Sequence, residues 1–106
     1  MATNRDSYLK RKYGITQDDY DLLLLSQGGR CFICQNKPRS RALAVDHNHK
    51  TDEIRGLLCY RCNRGLLGHA HDSEQMLERA LEYLRDPPAR GVLYVEGIEQ
   101  DEVDTD

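Results

Sequence analysis

Four cysteines stand in two pairs, Cys31 with Cys34 and Cys59 with Cys62, and residues 35 to 58 separate the pairs. Two residues between cysteines let both sulfurs of a knuckle reach one ion, and two knuckles complete a tetrahedral thiolate shell. Such a shell leaves no position for water or substrate, so the ion it predicts is a structural zinc. The competing use of four cysteines is a pair of disulfides, which needs an oxidising compartment. No basic, apolar, small-residue leader stands at the amino end, so the chain is expected to be cytosolic, where CxxC spacing favours metal. No stretch approaches the length of a membrane span.

A second group of reactive residues lies between and just after the knuckles. In VDHNHKTDEIRGLLC, Asp46, His47 and His49 fall within four positions, and Asn63 follows directly on Cys62. A zinc-anchored backbone at Cys62 would hold the Asn63 side chain with little freedom relative to the segment carrying Asp46 and His47. A structural metal can in this way serve a reactive site without touching substrate. Taken singly, each residue also has an ordinary use: an Asp-His pair in a loop, a histidine bonded to a turn, an asparagine capping a helix.

The elements that must position these groups are short. With 106 residues, 39% apolar side chains, one Phe and no Trp, the core must be lean, and a metal is the expected source of extra stability. Arg5 to Tyr13 reads as a basic helix stopped by Gly14. Thr16 and Asp19 form a capping-box variant and Ile15 and Tyr20 a hydrophobic staple, which predicts a helix from about Gln17 to Gln27. Its Leu22 to Leu25 run is expected to face the core, and Gly28 and Gly29 supply its end. ALAVDH and EIRGLL have strand character and flank the polar run NHKTD, the pattern of a hairpin. NRGLLGHA after the second knuckle is expected to turn helically. Asp72 and Gln75 predict a helix start, and Met76, Leu77, Ala80, Leu81 and Leu84 recur at helical spacing until Pro87 and Pro88 end it. VLYV at 92–95 has some strand character, but the last eleven residues hold six acidic groups and no basic one. One domain over 1–88 and an acidic, flexible tail over 89–106 are therefore expected.

The net charge of -3 conceals a division. Residues 1 to 64 carry 12 Lys and Arg against 7 Asp and Glu, or +5, while residues 65 to 106 carry 3 against 11, or -8. Lys10, Arg11, Lys12, Arg39, Arg41, Lys50, Arg61 and Arg64 can bind phosphates without reading bases. Arg55 is equally suited to a phosphate or to a surface ion pair, and His69 and His71 are expected to face solvent.

CFIC, LAVDHNHKT and RGLLCYRCNRGLLG, in that order, resemble the HNH nucleases of the recombination endonuclease VII type, over roughly residues 10 to 85. The resemblance implies a small α+β, zinc-stabilised domain with a ββα-metal hairpin-helix core of the His-Me finger type and flanking helices. It implies a phage-type endodeoxyribonuclease using magnesium or manganese in the host cytoplasm, with duplex or branched DNA as partner in recombination or packaging. Carried over position by position, His47 is the general base, Asp46 and Asn63 are ligands of the divalent cation, and His49 is a supporting histidine. Arg55, Arg61 and Arg64 are candidate phosphate contacts. The chemistry of the residues agrees: carboxylate and amide oxygens are hard donors suited to magnesium, and neutral imidazole accepts a proton near neutral pH.

Two departures from the family pattern stand out. Asp52 occupies a place where the family commonly has Gly, which predicts an altered hairpin turn or a shifted register. The chain also ends soon after one helix, without the sizeable C-terminal region of the prototype resolvase, so dimeric cutting of four-way junctions is left open, as is a homodimer through the apolar stripe near residues 73 to 85. The competing reading is a non-catalytic zinc module that binds nucleic acid or protein.

Overall fold

Local chemistry sets the first two helices. In the computed structural model, which describes residues 4–94, α1 spans Asn4–Tyr13 and α2 spans Gln17–Ser26. Gly14 adopts φ +77° and its N–H donates to the Lys10 carbonyl, which ends α1. The Thr16 hydroxyl accepts from the Asp19 N–H at 3.1 Å while the Asp19 carboxylate accepts from the Thr16 N–H at 2.9 Å, so the expected capping box forms. Asp6 of α1 accepts from the Gln17 N–H at 2.6 Å and ties the two helices together.

The hairpin follows as β1, Ala44–His47, and β2, Ile54–Leu58, paired antiparallel in a two-stranded sheet. Ala44 faces Leu58, Val45 faces Leu57 and Asp46 faces Gly56, but His47 faces Ile54, so Arg55 is an extra residue in a bulge. Asn48 builds the turn: its carboxamide oxygen accepts from the Lys50 and Thr51 N–H groups, and its carbonyl accepts from the Asp52 N–H. Asp52 takes φ +66°, the left-handed conformation that Gly adopts freely and that Asp tolerates at modest cost. Of the two outcomes expected from Asp52, the turn thus keeps a glycine-like backbone, and the register shift lies in the strands.

One edge of β2 is closed by a side chain. The Gln27 amide accepts from the Leu57 N–H and donates to the Leu57 carbonyl, both at 2.9 Å, as a neighbouring strand would. A Cβ at position 56 would come within 3.1 Å of the Gln27 Oε1, so the close approach depends on Gly56.

Beyond the second knuckle the chain runs as a π-helix, Arg61–Leu67, then α3, Gly68–Ala70, α4, Glu74–Arg85, and α5, Ala89–Val92. The start of α4 differs from expectation: Ser73, not Asp72, is the cap, its hydroxyl accepting from the Met76 N–H at 3.1 Å. Asp72 sits at φ +58°, in the turn before it. Residues 89–92 are helical, so the strand considered over 92–95 does not begin at Val92. The acidic residues 95–106 lie outside the described residues. No described helix is long and apolar enough to cross a membrane.

The chain divides into two compact units, one ending at His69 and one beginning at Ala70. The core of the first holds Leu9, Tyr20, Cys31, Leu43, Val45, Leu57, Leu58 and Cys62, with Leu23, Leu24 and Leu67 packed against it. Of the leucine run in α2, only Leu23 and Leu24 turn inward; Leu22 and Leu25 are exposed, because four consecutive residues sweep around a helix. In the second unit, α4 has no buried residue.

Candidate functional site

The two knuckles meet as their spacing requires. After CFIC the Gln35 backbone takes φ +66°, its N–H donates to the Cys31 carbonyl at 3.0 Å, and the Cys31 N–H donates to the Asn36 carbonyl at 3.0 Å. β2 delivers Cys59 to the same place, and Cys62 returns on the first turn of the π-helix. All four sulfurs lie within 4.8 Å of one another and none is in a disulfide. Sulfurs bound at about 2.3 Å around one zinc are about 3.8 Å apart. The Cys34 and Cys59 sulfurs stand at 3.8 Å, so the donor set fits a tetrahedral ion of that size.

The electrostatics suit a dication. Burial pushes the Cys31 thiol up, but hydrogen bonds from the backbone at Cys59, Cys34 and Ile33 outweigh it and bring it down to about 6. Cys62 is pushed up to about 12, first by burial and then by the neighbouring sulfurs of Cys59, Cys31 and Cys34. Each additional thiolate in such a cluster is repelled by the last, and a metal relieves that repulsion while displacing the protons. The four cysteines could therefore hold one structural zinc.

Asp46 and His47 come together at the end of β1, in different surroundings. Asp46 is only 5% exposed, and the Arg55 guanidinium grips both of its oxygens, Nε to Oδ2 at 2.7 Å and Nη2 to Oδ1 at 3.1 Å. The bulge explains this pairing: in an unbroken register Arg55 would stand opposite His47, whereas the extra residue brings its fork to the carboxylate. Arg55 is thus ion-paired with Asp46.

His47 is half-buried and His49, in the turn, is exposed, with their rings 4.6 Å apart. The Tyr13 ring of α1 lies 5.8 Å from His47, and Tyr8 lies 6.3 Å from Tyr13 edge-on. Lys12 sits 5.6 Å from both tyrosine rings. Burial raises the Tyr13 phenol, whereas a hydrogen bond with Lys12 lowers that of Tyr8. Tyr13 was not a candidate from sequence, because nothing local to RKYG marks it as the neighbour of a residue 34 positions later.

Asn63 is placed by its backbone, whose N–H donates to the Cys59 carbonyl at 2.9 Å within the second knuckle. No hydrogen bond joins its side chain to Asp46 or His47 among the described residues. Arg61 and Arg64 are exposed, as are His69 and His71. The guanidinium of Arg64 lies over the Tyr60 ring at 5.8 Å, and that of Arg41 lies over the same ring at 5.0 Å.

A small α+β unit in which a two-stranded hairpin leads into a four-cysteine cluster is thus the frame for these residues. The chain belongs to the recombination endonuclease VII family, whose model matches residues 6–86. It is similar to the Gene 59 protein of Mycobacterium phage D29, 49% identical over 94 residues, and to the Gene 59 protein of Mycobacterium phage L5, 45% identical over 93. These matches take in 87% of this chain but only 56% and 57% of the relatives, so the chain spans little more than half the length of the curated relatives it matches. No solved structure gives a significant match.

Proposed function

We propose that this chain carries the catalytic region of a metal-dependent HNH endonuclease that hydrolyses DNA phosphodiester bonds, with a hairpin-helix core of the His-Me finger type. The observation that supports it best is the pairing, at one strand end, of a nearly buried carboxylate, Asp46, with a half-buried imidazole, His47. Family membership and the phage relatives add to it.

In this reading zinc at Cys31, Cys34, Cys59 and Cys62 is structural, and residues 1–88 act as one functional domain ahead of an acidic tail. Asp46 and Asn63 would hold magnesium or manganese through hard oxygen donors. When bound, that cation supplies positive charge to the phosphate and to the departing 3′ oxygen. His47 takes the proton of the attacking water as general base, and its ring contacts with Tyr13 and His49 limit its rotation. Arg55 neutralises the Asp46 carboxylate through both oxygens, each of which keeps a second lone pair. Arg61 and Arg64 meet the phosphate backbone. Branched or distorted DNA is the substrate we favour, and the unburied apolar stripe of α4 is a surface through which a second copy could pair.

The test is incubation of zinc-loaded protein with plasmid, linear duplex and four-way junction DNA, with and without magnesium. Cleavage should require the added cation, and His47→Ala should stay folded and zinc-bound while cleavage falls by about 10²- to 10⁴-fold. Equal cleavage by the variant would remove His47 from the mechanism. Asn63→Ala should lose activity and recover part of it at high magnesium.

One observation favours a second reading, a non-catalytic zinc module for nucleic acid or protein: Arg55 already occupies both Asp46 oxygens. Folded, zinc-loaded protein that binds DNA and cleaves none of the substrates with magnesium or manganese would select it.

A further inference from the structure

Against the knuckles lies a cleft of about 600 Å³, lined by the loop from Asn36 to Leu43, by Cys34 and by the second knuckle with Leu66. Lys37, Arg39, Arg41 and Arg61 are among its lining residues, and no Asp or Glu is. That is a marked imbalance in a chain holding 18 acidic and 15 basic side chains. The nucleotide-cleaving residues proposed above, Asp46 and His47, are not part of its wall.

Tyr60 gives the cleft a second character. It is 53% exposed, lies between the ligands Cys59 and Cys62, and carries the guanidinium of Arg41 at 5.0 Å and that of Arg64 at 5.8 Å from its ring centre. A large ring held in solvent by cations adds nothing to a core. A metal held by Cys59 and Cys62 would pin the Tyr60 backbone on both sides.

We infer that this cleft docks a single strand of DNA, with the four cations tracking phosphates and Tyr60 with its arginines offering a stacking surface to an unpaired base. A basic groove combined with an exposed aromatic is the combination that single strands use, since their bases are free to stack. A duplex keeps its bases inside its own stack and would meet only the charges. The inference deepens the nuclease reading and takes DNA from it: the substrate would carry an unpaired segment beside the strand that is cut.

The experiment measures binding of the zinc-loaded 106-residue chain to a labelled 12-nucleotide oligo-dT and to a labelled duplex of mixed sequence, by fluorescence anisotropy across a salt series without added magnesium. Tyr60→Ala should weaken the single strand about tenfold and leave the duplex within about twofold. Arg41→Gln together with Arg39→Gln, both exposed and neither a metal ligand, should weaken the single strand and reduce the magnitude of its salt slope by roughly 1.4, for two phosphates lost. Zinc content and circular dichroism identify any variant that has lost its fold, and the loop variant carries the test if Tyr60→Ala does so. Equal losses on both DNAs in Tyr60→Ala, or no loss of single-strand binding in the loop variant, would overturn the cleft. If magnesium-dependent cleavage of duplex persists while oligo-dT does not bind, the cleft fails and the nuclease reading stands. If oligo-dT binding depends on Tyr60 but no DNA is cut, the nuclease reading fails and the cleft stands.

Discussion

Among the described residues, every buried leucine lies in the first of the two units. Leu9, Leu57 and Leu58 of the first are at most 4% exposed, while Leu81 and Leu84 of α4 are 45% and 72% exposed. Yet α4 has the more regular helical pattern, and α1 and the strands are short. Periodicity sorts side chains onto one face of an element, but burial also needs other faces converging on the same point. In the first unit that point is built by the hairpin, two capped helices and the cysteine cluster, and two of its eight buried members are cysteines.

The comparison breaks most visibly if the metal is removed. Stripping zinc with a strong chelator should unfold the first unit, because a structural zinc contributes about 10 kcal/mol, comparable with the whole stability of a small domain. Loss of amide protection at Val45 and Leu57, followed by hydrogen exchange, checks this; full protection in protein shown to be zinc-free would refute it. Next in size, Leu57→Ala, at a fully buried site, should cost about 3 kcal/mol in urea denaturation. Leu84→Ala in α4 should change stability by less than about 0.5 kcal/mol. A large cost at position 84 would mean that the α4 stripe is covered in solution, as by a second copy.

Smaller effects sharpen the same contrast. Tyr20→Phe removes a buried hydroxyl that donates to the Leu43 carbonyl at 2.6 Å and should cost about 1 to 1.5 kcal/mol, partly through the carbonyl left without its donor. The expected loss belongs to the first unit and should show in its denaturation midpoint. Asp52→Gly should stabilise the hairpin by about 0.5 kcal/mol, the relief of a left-handed backbone less the added freedom of the unfolded chain. A destabilised Asp52→Gly protein would mean that the Asp side chain supports the turn.

Much of the frame was legible from residue order, because its causes are local. The Thr16–Asp19 box, the stop at Gly14 and the CxxC knuckles each depend on groups a few positions apart. The misplaced cap of α4 has a local cause too: Ser73 and Asp72 compete for one role, and the backbone at Asp72 turns left-handed.

Residue types and spacing determined by themselves that four sulfurs can share one ion and that a hairpin carries Asp46 and His47 between the pairs; the endonuclease VII family entered as a resemblance of motifs, which the family match over residues 6–86 then showed. Only the tertiary structure decided that an extra strand residue turns Arg55 onto Asp46, that Tyr13 packs beside His47, and that Arg41 and Arg64 share the Tyr60 ring. The physical reason is range. Caps, turns and knuckles are closed by neighbours along the chain, whereas a bulge, a ring contact or a charged cleft joins residues whose proximity exists only after the strands have paired and the helices have packed.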